Sequence, residues 1–234
     1  MAVKKSKAAV NIKKNRLTIT VAPKITKKSL DNLYTEIRFG VADLQPGFDV
    51  ITDLSACTLG ALSGLPTFIK ISNHLINSKV GRVVRVIDET KIIKKQLINI
   101  ATRSQGYKAE IFNSLGAADE YLSNTTGDEG LYFGLHEQSL NYIYEEQSGT
   151  AVVESLSIHF CEVKDSGLST RENEPISMAI TFEPYEGLLE QFEAEAVIVW
   201  ADGDKFGARF EGVDEALKEK LWQRLVHESQ CELS

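Results

Sequence analysis

The stretch EAEAVIVWADGDKFGARFEGVDEALKEKLWQRL, Glu193–Leu225, carries the strongest structural signal in the second half of this chain. It contains two runs rich in β-branched and aromatic residues, and the residues between them around Asp202 and Asp204 are typical of a β-turn. These two acidic residues are therefore interpreted as turn residues, not as ligands of a cation. Trp200 and Phe206 are predicted to pack a barrel built from these strands.

The residues after this hairpin predict an amphipathic helix that closes the barrel. Its apolar side chains recur at helical spacing and are expected to face inward. They are Val213, Leu217, Leu221, Trp222 and Leu225. Upstream, AVVESLSIHFCEV (151–163) and PISMAITFEP (175–184) are further short β-rich runs, divided by Gly, Pro and Asp. This spacing predicts a small β-barrel over residues 150–228.

A linker and a bridging helix are predicted over residues 124–149, ahead of the barrel. SNTTGDEG (123–130) is polar and rich in turn-forming residues. In LHEQSLNYIYEEQSG (135–149), four apolar residues lie near one helical face, and Gly149 is the predicted helix end. They are Leu135, Leu140, Ile143 and Tyr144.

The first half alternates between strand and helix patterns over residues 12–123. RLTITVAP (16–23) alternates apolar and polar residues as a half-buried strand does, and Thr26 is a candidate N-cap for the helix that follows. QPGFDVITDLS, RVVRVID and AEIFNS read as further strands, with helical patterns near Pro66 and from Thr90 to Gly106. Strands separated by helices of this length predict an α/β sheet covered by helices.

The net charge of −7 hides a strong asymmetry between the two halves. Residues through Lys108 include 19 Lys/Arg and 7 Asp/Glu, whereas the residues from Ala109 onward include 7 and 26. A basic half joined to an acidic half indicates two separate units that attract each other or face different partners. The basic half could favour nucleic acid, or its lysines could simply lie on solvated helix faces.

Several functional classes find no support in the sequence. Cys57, Cys161 and Cys231 form no CxxC pair and indicate structural thiols in a reduced, cytoplasmic compartment. The four histidines lack metal-binding spacing, and no phosphate-binding GxxxxGK[ST] loop occurs. No apolar run approaches the ~20 residues of a membrane span, and the first 15 residues lack the apolar core of a signal peptide. Neither an enzyme nor membrane insertion is expected.

The stretch DLSACTLGALSGL, from Asp53, resembles the signature of STAS domains, the fold of bacterial anti-sigma-factor antagonists. Asp-Leu-Ser at 53–55 and Ser-Gly-Leu at 63–65 match that pattern, whereas Ala61 and Leu62 replace its usual Asp and Ser. The resemblance implies a STAS-like domain over residues 12–123, with Ser63 at the place of a phosphorylated switch serine. A phosphate there would lie favourably at a helix N-terminus. The alternative for Ser63 is a simple N-cap or turn residue.

The barrel residues, above all AVIVW, FGARF and the closing helix, resemble the PilZ domain used in bacterial cyclic di-GMP signalling. Ligand-binding PilZ domains carry an upstream arginine pair and then Asp/Asn-x-Ser-x-x-Gly. EVKDSG fits the second pattern, with Glu162 at the acidic position, Lys164 at the serine position and Gly167 matching. No Lys or Arg lies between Ala109 and Val163, so the arginine pair has no counterpart. Glu162, Lys164 and Gly167 are candidate ligand residues only if cyclic di-GMP binds.

The leading hypothesis is therefore a non-enzymatic bacterial signalling adaptor that acts through protein–protein contacts. No cofactor is expected, because cyclic di-GMP is a dianion that suits arginine forks. A cyclic di-GMP receptor with a displaced binding set, completed by Arg16, Arg38 or Arg103, is the alternative. A nucleic-acid-binding regulator is the third hypothesis and depends only on the basic first half.

Overall fold

The computed structural model describes residues 5–57, 65–88, 106–124 and 130–231. The chain divides into two compact units, Met1–Gly127 and Asp128–Ser234. Within the described ranges, no helix combines the length and the apolar character that a membrane crossing requires. Ser63 and the helix predicted from Thr90 lie outside the described residues.

The first unit contains a mixed five-stranded sheet with helices, so the predicted α/β class is confirmed for this unit. The strands are β1 (Lys7–Asn11), β2 (Arg16–Thr20), β3 (Asp49–Asp53), β4 (Val83–Val86) and β5 (Glu110–Phe112), in this spatial order. The edge strand β1 is antiparallel to β2, and the other neighbours are parallel. The helices are α1 (Lys27–Ala42), α2 (Leu65–Asn77) and α3 (Leu115–Asn124), and a short 3-10 helix (Ile12–Lys14) follows β1.

Local sequence explains where α1 begins and what α3 covers. Thr26 is the N-cap as predicted: its hydroxyl accepts from the Ser29 N–H at 3.1 Å, and the Ser29 hydroxyl accepts from the Thr26 N–H at 2.9 Å. On the face of the sheet below α3, side chains of two strands and the helix form a buried apolar cluster. Its members are Ile51, Val84, Val86, Ala118 and Leu122.

A network of charges, with Arg16 and Asp49 buried and Lys14 and Asp119 partly exposed, joins the amino-terminal ends of the parallel strands. Arg16 donates to Asp49 at 3.2 Å and to Asp119 on α3 at 2.6 Å. Arg82 grips both carboxylate oxygens of Asp49, each at 2.9 Å. Lys14 pairs with Asp119 at 2.7 Å, and its hydrogen bond, with that of Arg16, lowers the pKa of the Asp119 carboxyl. This network fixes the strand register, because a buried charge is tolerated only when it is paired.

The second unit is a closed six-stranded antiparallel barrel followed by a helix, which confirms the predicted β architecture. The strands are β6 (Phe133–Tyr144), β7 (Gln147–Leu156), β8 (Phe160–Lys164), β9 (Pro175–Thr181), β10 (Gln191–Asp202) and β11 (Lys205–Glu211). Around the barrel they follow the order β10-β11-β8-β7-β6-β9. The closing helix is α4 (Glu215–Cys231). Phe206 is fully buried inside the barrel, as predicted.

The bridging helix predicted over residues 135–149 is wrong, because these residues form β6 and the start of β7. The inward side chains follow a period of two, with Leu140, Tyr142 and Tyr144 buried. Glu145 and Glu146 form the intervening turn with φ of 46° and 68°, which is the backbone conformation that tight hairpins favour. The barrel therefore begins at Phe133, inside the segment predicted as linker and helix.

The closing helix packs on the barrel through predicted residues and one unpredicted arginine, whereas the predicted Val213 lies before the helix, which begins at Glu215. Leu221 and Leu225 are buried, and the Trp222 ring meets Phe133 edge to face at 5.6 Å. Arg224 is only 2% exposed, and its guanidinium lies 4.9 Å from the Phe182 ring centroid and pairs with Glu228. This cation–π contact compensates part of the cost of burying the arginine.

Candidate ligand wall of the barrel

The predicted ligand residues lie on one outer surface of the barrel. On β8, Cys161 and Val163 are buried inside, so Glu162 and Lys164 face outward. Gly167 lies in the loop after β8 with φ of +63°, a conformation that glycine adopts without strain. We call the outer surface of β8, β11 and the adjoining part of β7 the motif wall. The structure thus brings Glu162 and Lys164 together and places Gly167 just beyond them.

The carboxylate of Glu162 already has a partner within the barrel. The Ser155 hydroxyl on β7 donates to Glu162 Oε2 at 2.5 Å, and the register places these two residues opposite each other. A charge-assisted bond of this kind is among the stronger hydrogen bonds in proteins. Glu162 therefore links two strands, and a ligand would have to compete for one of its oxygens.

An aromatic layer that the sequence did not reveal covers the centre of the motif wall. Trp200 lies over Gly207, where an added Cβ would approach the indole Nε1 to 2.1 Å and Phe160 Cζ to 2.6 Å. Tyr132 meets the Phe160 ring edge to face at 5.7 Å. Trp200 therefore packs the barrel from outside. The absent side chain at Gly207, within FGARF, is the sequence signal for this contact.

A register shift explains why Trp200 faces outward. Ile198 pairs with Ala208 and is buried inside the barrel, so simple alternation would also direct Trp200 inward. The shift between Ile198 and Trp200 pairs Trp200 with Gly207 instead, on the outer face. A β-bulge of this kind re-aims the side chains that follow it.

The motif wall carries charges of both signs. Lys164, Lys205 and Arg209 lie on it together with Glu154, Glu162 and Glu211. Lys205 pairs with Glu154 at 3.6 Å, and the register places Arg209 opposite Phe160. These basic residues lie far apart in sequence and meet only through strand pairing.

Buried hydrogen bonds fix the loop that carries Gly167. The Tyr142 hydroxyl donates to the Ser166 carbonyl at 2.7 Å, and the Ser166 hydroxyl donates to the Asp204 carbonyl at 2.9 Å. Asp165 also has a positive φ, of 55°. The loop is thus bound to the barrel and to the β10–β11 turn, which keeps the end of β8 in a defined position.

Among the described residues, neither the buried Cys161 thiol nor a metal-ligating cluster provides a second site. Burial raises the pKa of the Cys161 thiol, so this cysteine is a packed apolar residue and not a nucleophile. In the part of the chain that the structure describes, no group of three or more His, Cys, Asp or Glu side chains is placed to hold a metal ion.

No protein-family model matches the chain, and a search of curated proteins finds no match. The Bacillus subtilis inhibitor of motility MotI (DgrA) is 20% identical, with a TM-score of 0.34, over 40% of this chain and 47% of that one. The PilZ domain of CeSA from a cellulose-synthesizing bacterium is 18% identical, with a TM-score of 0.30, over 38% and 89%. Borreliella burgdorferi PlzA, solved with c-di-GMP, is 11% identical, with a TM-score of 0.27, over 57% and 56%. The chain thus matches about half the length of MotI and PlzA.

Proposed function

We propose that this protein is a non-enzymatic signalling adaptor whose PilZ-like barrel does not bind cyclic di-GMP in the ordinary way. The observation that carries the proposal is the chemistry at the motif position. Glu162 is engaged by Ser155, and Lys164 replaces the serine hydroxyl of the ligand-binding pattern. The upstream arginine pair of that pattern is absent from the sequence.

The expected loss of affinity is large. Each charge-assisted hydrogen bond that an arginine fork makes to the dinucleotide contributes about 1.5–3 kcal/mol. The loss of several such bonds corresponds to about 10³-fold or more in affinity. Lys164 offers a point charge and cannot replace the planar, bidentate geometry of two guanidinium groups.

Calorimetry and affinity capture test the adaptor role. Titration of the full chain with cyclic di-GMP should give no binding tighter than about 100 µM. Capture from the native organism should recover the same partner with and without added cyclic di-GMP. A partner recovered only when the dinucleotide is present would overturn the proposal.

A cyclic di-GMP receptor with a displaced binding set is the second candidate, and the aromatic layer favours it. Trp200 is half-buried on the outer face opposite Gly207 of β11, the strand that also carries Arg209, and aromatic faces stack on nucleobases. In this case the full chain binds the dinucleotide, and Arg209→Ala and Lys164→Ala each weaken binding at least about tenfold. Arg171→Ala, in the exposed β8–β9 loop, is the matched control.

For the first unit, we propose a STAS-like docking role with Ser63 as its regulatory residue. The signature from Asp53 and the single antiparallel edge strand of an otherwise parallel sheet support this role. Asp53 accepts from the Ser55 hydroxyl at 2.6 Å, so the start of the signature is locally ordered. Phosphate analysis of the protein isolated from its own cells tests Ser63, and Ser63→Ala should abolish any modification there.

A further inference from the structure

The barrel has an open groove on the surface of β6, β7, β9 and β10, away from β8. It encloses about 810 Å³. Its outward side chains are mostly small or polar, and its charged members are both acidic. They are Asn141, Ile143, Ser148, Thr150, Ser177, Ala179, Glu193 and Glu195. We call this surface the open groove.

Two glutamates meet at the edge of the open groove, and Arg209 lies on the same outer face two residues from one of them. Glu195 lies directly opposite Glu211 in the β10–β11 register, and like charges at such positions destabilise a sheet. The Ser177 hydroxyl lies 2.9 and 2.8 Å from the two oxygens of Glu195 and keeps that carboxylate at the groove. In the part of the chain that the structure describes, no lysine or arginine pairs with Glu193, Glu195 or Glu211.

The groove also offers an apolar contact beside these charges. Ile143 is 57% exposed in the open groove, although its neighbours in sequence, Tyr142 and Tyr144, are buried. A segment that combines lysines at two-residue spacing with an exposed apolar side chain would therefore match both features of the groove.

The protein itself carries such a segment at the edge of its first sheet, Lys5–Lys13. Lys5, Lys7 and Lys13 are exposed and have no ion pair in the described residues, whereas the next lysine, Lys14, pairs with Asp119. Ile12 is 69% exposed. Lys7 begins β1 and Lys5 lies two residues ahead of it. Residues two apart are spaced by about 7 Å when the chain is extended, so an extended arrangement of residues 5–7 would match the spacing of Glu193 and Glu195. We call Lys5–Lys13 the basic segment.

We propose that the open groove of one molecule binds the basic segment of a second copy of this chain. The contact is made by side chains, with Lys5 and Lys7 against the two groove glutamates and Ile12 against the apolar part. Strand addition is disfavoured, because the Ala8 N–H at the sheet edge already donates to Glu36 Oε2 at 2.9 Å. The opposite charges of the two surfaces make the association strong at low salt and weak at high salt.

Sedimentation velocity of the full chain tests the proposal. The average mass should rise above that of the monomer between about 2 and 100 µM protein at low salt, and the apparent association should weaken about tenfold or more in about 0.5 M NaCl. If the protein remains monomeric at every concentration, the proposal is wrong. This is also the result expected if the groove binds a different, basic protein.

A charge swap identifies the contacting residues. Glu193→Lys with Glu195→Lys, and separately Lys5→Glu with Lys7→Glu, should each reduce self-association about tenfold or more. An equimolar mixture of the two variants should recover mixed complexes, because the groove of each variant then meets a basic or acidic segment of opposite charge on the other. Glu183→Lys with Glu186→Lys, in the exposed β9–β10 loop, is the control with the same charge change and should associate like the wild type. The proposal is also wrong if the mixed variants do not associate. It is equally wrong if the Glu183 and Glu186 control loses as much self-association as the groove variant.

Discussion

The motif wall and the open groove belong to the same barrel, but their outer surfaces are built differently. On the motif wall, Trp200 and Phe160 fill the space above Gly207, and the surface is stabilised by close aromatic packing. In the open groove, small side chains leave space, and at its edge Glu195 faces Glu211 of β11 across the strands. Close packing on the surface that carries the ligand motif therefore contributes to barrel stability, whereas the surface of the open groove lacks such packing.

Of the substitutions considered, Gly207→Ala on the motif wall should have the largest effect on barrel stability. The added Cβ would have to displace the Trp200 indole and Phe160, which costs about 1–3 kcal/mol of barrel stability. Both tryptophans of the chain lie in the second unit, so tryptophan fluorescence during urea unfolding reports the barrel. The emission of the folded variant should also shift to the red. Gly134→Ala, where a Cβ meets nothing within 4 Å, is the control, and equal stability of both variants would contradict the packing argument.

Tyr142→Phe should come next, because it removes the hydrogen bond to the buried Ser166 carbonyl. The expected loss is about 0.5–1.5 kcal/mol, measured by the same urea unfolding. Tyr185→Phe removes a hydroxyl from an exposed tyrosine and should change stability by less than about 0.5 kcal/mol. An equal loss in both variants would show that Tyr142 does not hold the loop.

Glu195→Lys, at the open groove, should change barrel stability by a smaller amount and should increase it. It replaces a pair of like charges with an opposite-charge pair to Glu211, so the barrel should gain about 0.2–1 kcal/mol. The gain should shrink in high salt, because screening weakens exposed charge pairs. Glu183→Lys should leave stability unchanged, and a loss of stability in Glu195→Lys would show that the Ser177 contact outweighs the repulsion.

Ile143→Val should have the smallest effect. Its side chain is exposed in the open groove, so stability should change by less than about 0.5 kcal/mol. Ile180→Val, at a fully buried position of the neighbouring strand β9, should cost about 0.5–1.5 kcal/mol. Similar losses at both positions would mean that Ile143 is covered in the folded protein.

Sequence patterns predicted the elements whose apolar periodicity is unambiguous. The strands β2 to β5, the N-cap at Thr26 and the buried leucines of the closing helix follow from local rules, whereas the edge strand β1 (Lys7–Asn11) was not predicted. The β6–β7 hairpin was missed because Leu140, Ile143 and Tyr144 also fit a helical period. Its turn, moreover, consists of two glutamates instead of a glycine-containing pair.

The candidate site was less predictable than the fold, because it depends on strand pairing. Glu162 and Lys164 share a face by simple alternation, but Arg209 and Lys205 join them only through the β8–β11 register. Trp200 reaches the wall through the register shift after Ile198. A bulge changes which face a side chain occupies without leaving a distinct mark in the composition.

The ion pair between the buried Arg16 and the partly exposed Asp119 affects how the chain folds during synthesis on the ribosome. The two residues are 103 positions apart, and at 5–20 residues per second this separation takes about 5–20 s to translate. Until Asp119 leaves the exit tunnel, Arg16 lacks one of its two acidic partners and can pair only with Asp49. Nascent chains arrested before that point should therefore remain sensitive to protease, and resistance should appear abruptly once α3 has emerged.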